Sequence, residues 1–149
     1  MKKSTLFLLA TIILICSQGC DPASQYPISY KIDGTPWYAE SAPCFLTGLN
    51  NISINATPTV QNQQLSIFYF TQYSVGTHQL DGANNFFQYG ADTTTGYYAQ
   101  ASNPATLNIT EFNTSTKKIV GTFFGVLYNQ GKTDSIVITD GKFDLHYQQ

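Results

Sequence analysis

The sequence is poor in the residues from which catalytic and metal-binding sites are usually built. It has two histidines, three cysteines and one tryptophan, and no arginine. It contains no His-Glu-x-x-His, Gly-x-Ser-x-Gly, Cys-x-x-Cys, phosphate-loop or EF-hand pattern. We therefore predict no catalytic residue, no metal ligand and no cofactor, and we predict that the chain is not an enzyme.

Charge is also scarce, since only 11% of the residues are Asp, Glu, Lys or Arg. The segment after residue 19 contains five lysines and nine acidic residues, so its formal net charge is −4. Nucleic-acid-binding proteins present clustered Lys and Arg side chains, and this sequence has no such cluster. We therefore predict no nucleic-acid partner.

The sequence has only one long apolar run, Leu6–Cys16, which is eleven residues long. A membrane-spanning helix needs about 20 apolar residues, so this run is too short to span a bilayer. It follows Lys2 and Lys3 and precedes Ser17-Gln18-Gly19, which is the layout of a secretory signal peptide. The sequence thus predicts export, with residues 1–19 as the signal peptide.

Gly19-Cys20 resembles the bacterial lipobox, in which a small residue precedes a cysteine that becomes acylated. We predict cleavage between Gly19 and Cys20, a palmitate-type lipid on Cys20, and a tether over residues 20–25. Two or three acyl chains anchor a protein durably, whereas one chain anchors it only marginally. Ordinary secretion, with Cys20 as an incidental thiol, is the alternative. The predicted location is the cell envelope, more often the outer than the inner membrane, with a periplasmic or surface-exposed domain.

Residues 26–149 have the pattern of a single all-β domain. Turn signals recur every eight to twelve residues, and β-branched and aromatic residues fill the intervals. No window has the spacing of an amphipathic helix. We predict one antiparallel β-sandwich or flattened barrel of about nine or ten strands. Cys44 would be its one free thiol, and we expect that thiol to be buried and inert.

The C-terminal segments give the most detailed strand predictions. Phe143, Leu145 and Tyr147 alternate with polar residues, which predicts a strand with one buried face. Residues 118–128 carry apolar side chains at both parities, which predicts a central strand covered on both faces. Gly121 and Gly125 would leave gaps that an aromatic ring can fill. Asp140-Gly141 predicts either a hairpin turn or a β-bulge within one longer strand.

The stretch from 84 to 98 is the richest candidate for ligand binding, because aromatic rings occur there among amides and hydroxyls. Sugar faces stack on such rings, while amides and hydroxyls bond to sugar hydroxyl groups. The alternative is that the rings simply alternate in and out along two ordinary strands. The candidate aromatics are Phe86, Phe87, Tyr89, Tyr97 and Tyr98.

Trp37 is a sixth candidate aromatic. Gly34 permits a tight turn before it, and Pro36 fixes φ at the start of the next strand. We expect Trp37 to plug one end of the β domain, and ligand stacking is the alternative.

Two patches resemble a domain family of unknown function found among Bacteroidota lipoproteins. Residues 32–39 resemble the family's N-terminal pattern Ile-Asn/Asp-Gly-x-x-Trp-x-Ala. Residues 119–123 and 138–144 resemble its C-terminal strands, so the similarity would span residues 26–147. The resemblance implies an envelope-exposed β domain without an established activity, and it implies no catalytic residues.

The function that these observations favour is a non-catalytic envelope lipoprotein whose β domain binds a partner protein or another ligand. Three alternatives stay open. They are a carbohydrate-binding accessory lipoprotein of a nutrient-uptake system, a hydrolase with a dispersed active site, and an inhibitor or immunity protein.

Overall fold

The computed structural model describes residues 25–47, 51–58, 63–69, 74–83, 85–92 and 94–149. The predicted signal peptide and Cys20 lie outside these residues. The described part is all-β, with 71% of it in strands and no α-helix. Its strands are β1 (Ile28–Ile32), β2 (Thr35–Ser41), β3 (Cys44–Thr47), β4 (Asn51–Pro58), β5 (Gln64–Tyr69), β6 (Gly76–Leu80), β7 (Asn85–Gly90), β8 (Gly96–Tyr98), β9 (Ala105–Asn113), β10 (Lys118–Asn129) and β11 (Ser135–Gln148).

Eight of the strands form a closed barrel, and three lie outside it. Around the barrel the order is β1, β2, β4, β5, β7, β8, β10, β11 and back to β1, and all of these pairings are antiparallel. Closure leaves these strands without a long free edge. Open sheets can aggregate through such unpaired edges. Of the two architectures that the sequence predicts, the structure has the barrel.

The outer strands pair with those parts of the long barrel strands that the neighbouring barrel strand leaves unpaired. The last residues of β10 pair with β8, and its first seven residues pair with β9, which in turn carries β6. In the same way, β3 lies between the end of β11 and the start of β4.

The barrel interior is the hydrophobic core. Phe123 lies near its centre, with the Phe87 ring edge-on at 5.5 Å and the Tyr30 and Phe143 rings at 6.0 and 6.4 Å between centroids. Replacing a buried Phe of this kind by Ala typically costs about 3–5 kcal/mol of stability. The alternation predicted for residues 143–147 is confirmed, because Phe143, Leu145 and Tyr147 are buried while the residues between them are exposed.

Three predictions about the strands need correction. The described residues form eleven strands, where the sequence predicts about nine or ten, and the sequence pattern missed β3, which is only four residues long. The pairing of β3 with β11 is parallel, so the sheet is not purely antiparallel. The outer face of β10 is not covered as predicted, since Phe124 is 53% exposed there.

Residues 135–148 form one continuous strand, so Asp140-Gly141 marks a bulge and not a hairpin turn. Asp140 has a φ of 52°, and the registers with β1 and β10 both shift beside it. The extra residue bends β11. A single strand can therefore follow the barrel wall and pair with β1 and β10 on both sides of the bulge.

Candidate functional site

The aromatic stretch predicted from the sequence divides between the inside and the outside of the barrel. Phe87, Tyr89 and Tyr97 point inward and are at most 9% exposed. A buried ring presents no face to a ligand in solvent, so these three rings belong to the core. Phe86 is half-buried, and Tyr98 is 41% exposed on the outer face.

The two inward-pointing tyrosines, Tyr89 and Tyr97, have structural roles inside the barrel. The Tyr97 hydroxyl donates a hydrogen bond of 2.8 Å to the Asp134 carboxylate, which ties β8 to the start of β11. Burial raises the pKa of Tyr89 to about 12, so its phenol stays neutral. The Tyr97 hydrogen bond thus helps to position β8, which carries the outward residue Tyr98.

Tyr98 lies in a row of polar side chains that crosses four barrel strands. It is paired directly with Gln88 of β7 on one side and with Tyr128 of β10 on the other. Gln88 is paired in turn with Ser66 of β5. Residues directly opposite each other in a sheet point to the same face, so the row lies on the outside of the barrel.

The Tyr98 ring lies over the backbone of Gly96, two residues earlier on the same face. A Cβ atom built on Gly96 would approach the Tyr98 hydroxyl oxygen to 2.5 Å and its Cζ atom to 2.9 Å. Any side chain at position 96 would therefore displace the end of the ring. Gly96 is paired with Gly90 of β7, which deepens the surface next to the ring.

Two recesses flank the ring on opposite sides of β8. One has a volume of about 100 Å³ on the side of β5 and β7, and the other has about 230 Å³ on the side of the β10–β11 hairpin. The surface made by the ring and both recesses is called the Tyr98 face below. Its residues with outward polar or aromatic side chains are Gln64, Ser66, Gln88, Thr94, Thr95, Tyr98, Asn129 and Gln130.

Among the described residues, no charged side chain lines either recess. The nearby Asp92 carboxylate is directed into its own loop, where it accepts hydrogen bonds from the Thr94 amide at 2.7 Å and the Thr95 amide at 2.6 Å. These hydrogen bonds, led by those from Thr94, lower the pKa of Asp92 to about 2. Asp92 thus shapes the loop that borders the larger recess.

Phe86 and Tyr98 also border a third recess, of about 300 Å³, beside the loop after β6. This recess contains Asp81, whose carboxylate accepts a 2.9 Å hydrogen bond from the Ala83 amide. The half-buried Phe86 and the exposed Tyr98 therefore share one side of the barrel.

A contrasting, charged surface lies on the outer side of β1, β10 and β11. Lys31 pairs with Asp140 at 2.8 Å, and Lys118 pairs with Asp144 at 3.0 Å. A recess of about 340 Å³ lies here, between Tyr26 and Thr122. The opposite charges are paired with one another, and exposed pairs of this kind contribute roughly 0–1 kcal/mol each.

Trp37 is half-buried and packs against the edge of the core from β2. Its Nε1 atom is buried and has no hydrogen-bond partner within the described part of the chain. The ring therefore contacts the core, and it lies on a different strand from the Tyr98 face.

The groups that could support catalysis are dispersed. Cys44 is 1% exposed, and burial raises the pKa of its thiol to about 12. The His78 and His146 rings contact the backbone carbonyls of Ser74 and Thr116. Across the residues that the structure describes, no three His, Cys, Asp or Glu side chains are close enough together to hold a metal ion.

Comparison with protein families matches this chain to a domain family. The model of a domain of unknown function, DUF6252, matches residues 27–144, from just before β1 to the last third of β11. The chain belongs to the DUF6252 family. The matched residues span seven of the eight barrel strands and β11 as far as Asp144, so the DUF6252 domain corresponds to the β-barrel described above.

Comparisons of this DUF6252 chain with curated proteins and with solved structures give no match. Within the described residues, no helix is long and apolar enough to cross a membrane.

Proposed function

We propose that this DUF6252 chain is a non-catalytic binding module that holds its ligand on the Tyr98 face, outside the cytoplasm, and is anchored by a lipid on Cys20. The observation that carries the proposal is the exposed Tyr98 ring, which lies over Gly96 between two uncharged recesses. Binding sites commonly combine an aromatic surface with a few fixed polar groups.

The glycine at position 96 supports a role for the ring. A glycine within a strand lowers stability by roughly 0.5–1 kcal/mol relative to alanine. Gly96 has no left-handed φ that would require glycine, and the close neighbour of its missing side chain is the Tyr98 ring. Glycine at position 96 therefore lowers the stability of the strand, but any other residue there would displace the Tyr98 ring.

The distribution of titratable groups supports a module without catalysis. A nucleophile needs a base within hydrogen-bond reach, and Cys44 is buried with a raised pKa. The described side chains that line the two recesses are amides, hydroxyls and aromatic rings. A ligand can be oriented there, but no group is placed to abstract or deliver a proton at neutral pH.

The N-terminal sequence supports the envelope address. The signal-like run and Gly19-Cys20 favour a lipoprotein of the Bacteroidota type, with the lipid as its membrane anchor. Only seven residues separate Cys20 from β1. Fully extended, they reach about 25 Å at about 3.5 Å per residue, so the barrel would lie close to the membrane surface.

Site-specific photo-crosslinking in native cells tests the proposal. A benzophenone amino acid at position 88 would report on the Tyr98 face, and the same amino acid at position 142 would report on the charged surface. We expect an ultraviolet-dependent adduct from position 88 and little or none from position 142. Equal labelling of both positions, or no adduct from position 88, would contradict a binding role for this face.

A further inference from the structure

Building on the proposed function, we infer that the ligand of the Tyr98 face is a neutral saccharide chain. Three features of the described surface lead to this ligand class: the exposed ring, the amides and hydroxyls on both sides of it, and the lack of charge in both recesses.

The ring offers the contact that a sugar requires. Tyr98 is 41% exposed and is supported from below by the backbone of Gly96. One face of a pyranose is lined with C–H groups, which pack flat against an aromatic ring. The phenol hydroxyl at the edge of the ring remains able to donate or accept a hydrogen bond.

The polar groups on the two sides match an array of sugar hydroxyls. Gln64 and Gln88 lie on one side, and Gln130 lies on the other, where the Asn129 amide is hydrogen-bonded within its own loop to Thr133 and Asp134. Each primary amide provides two donor hydrogens and an acceptor oxygen, and sugar hydroxyls need both kinds of partner. Because the recesses continue on both sides of the ring, the face fits a chain of units better than a single sugar.

The lack of charge separates a neutral saccharide from the other ligands. No described Lys side chain lines either recess, and the neighbouring loops carry Lys132 together with Asp92 and Asp134, so an acidic saccharide would meet no net positive charge. A protein partner would favour a wider apolar centre with several large anchoring side chains. The Tyr98 face has one exposed ring among amides and hydroxyls, with the half-buried Tyr128 directly opposite it on β10, and a sugar surface complements this arrangement.

Attachment to a membrane would make weak binding effective. One ring and a few amides give modest affinity for each site. Many lipid-anchored copies on one surface could engage the same polymer at several points, and such multivalent contact raises the overall affinity by a factor of roughly 10² to 10⁴. A long polysaccharide would therefore be held more firmly than its short fragments.

Calorimetric titration of the lipidated protein in detergent micelles tests the inference. The probes are oligosaccharides of β-glucan, α-mannan, galactan and xylan, with oligogalacturonate as the acidic counterpart. We expect at least one neutral probe to bind. Tyr98→Ala should weaken that binding by about tenfold or more, the size of effect usual for an anchoring aromatic.

Matched variants distinguish stacking from a general loss of structure. Tyr98→Phe keeps the ring and should bind within about threefold of the original protein, and Gly96→Ala should weaken binding because it displaces the ring. Phe124→Ala removes another exposed ring, 53% accessible on β10, and should bind as the original protein does. Thermal unfolding of every variant checks that the barrel is intact, and Gln88→Ala provides a second test within the face.

Three outcomes would overturn the inference: no heat with any neutral probe, preferential binding of oligogalacturonate, or equal binding by Tyr98→Ala and the original protein. The crosslinking experiment separates these failures from failure of the proposed function. A protein adduct at position 88 would keep the binding module and reject the saccharide. The absence of any adduct would remove both.

Discussion

Gly121 of β10 lies directly opposite Phe143 of β11, and the Phe143 ring fills the space that a side chain on Gly121 would need. The arrangement is repeated with the strands exchanged, because Gly141 of β11 lies opposite Phe123 of β10. Each aromatic ring thus covers a glycine on the neighbouring strand. This exchange packs large rings into the barrel where two full side chains would collide.

Gly121→Ala should destabilise the barrel, because the new methyl group would meet both the Phe143 ring and the backbone oxygen of Asn108. We expect the free energy of unfolding to fall by about 1–3 kcal/mol, the usual cost of overpacking a core. Urea denaturation followed by circular dichroism measures the change. Gly131→Ala is the control, since its nearest neighbours would be 3.7 Å away, and a similar loss in both variants would refute the packing argument.

Asp92 should titrate with a midpoint near pH 2 in the folded protein. Its pKa is lowered from 3.8 to about 2, so its stabilising contribution is complete above the ordinary pKa and disappears as the pH falls through 2. Carbon-detected NMR of the carboxyl group measures the midpoint. Asp92→Ala should also weaken ligand binding severalfold by loosening Thr94 and Thr95, whereas a midpoint near 3.8 would show that these hydrogen bonds do not form.

The Cys44 thiol should resist modification in the folded protein. It is 1% exposed, and burial raises its pKa to about 12, so almost no reactive thiolate exists at neutral pH. In the mature Cys20→Ser variant, Cys44 is the single thiol, and a disulfide reagent with an optical readout should label it only after urea is added. Rapid labelling of the native protein would argue for an accessible, activated cysteine.

Cys20→Ser should release the protein from the membrane, because the lipid is the predicted anchor. Fractionation of cells should find the original protein in membranes and the variant in the soluble fraction, and intact-mass analysis should show acyl groups on the original alone. Cys16→Ser is the matched control and should remain membrane-bound. An unacylated original protein would refute the lipoprotein assignment.

Local alternation was enough to predict much of the barrel wall. Phe143, Leu145 and Tyr147 face inward as their alternation predicts, and the same period of two places Ile28, Tyr30 and Ile32 on the buried face of β1. The glycine gaps on β10 were also expected, although the sequence did not say which rings would fill them. These features depend on the period of two within a strand, which is visible in the residues themselves.

The missed features depend on contacts between residues far apart in the sequence. The parallel pairing of Tyr147 with Cys44 has no local signal, and β3 is too short to show an alternation. Apolar residues on both sides of β10 indicated double coverage, yet Phe124 is exposed, because apolar residues are also common on protein surfaces. The 84–98 stretch contains the exposed Tyr98 ring. The sequence alone does not distinguish it from the buried Tyr89 and Tyr97, because that distinction depends on the register of β7 with β8.

Amide chemical-shift mapping of the mature protein, titrated with its best-binding oligosaccharide, tests the central claim most directly. We expect the largest shifts at Gln64, Gln88, Gly96 and Tyr98, with little change at Lys142 and Asp144 on the charged surface. Shifts centred on that charged surface, with the Tyr98 face unchanged, would contradict the account.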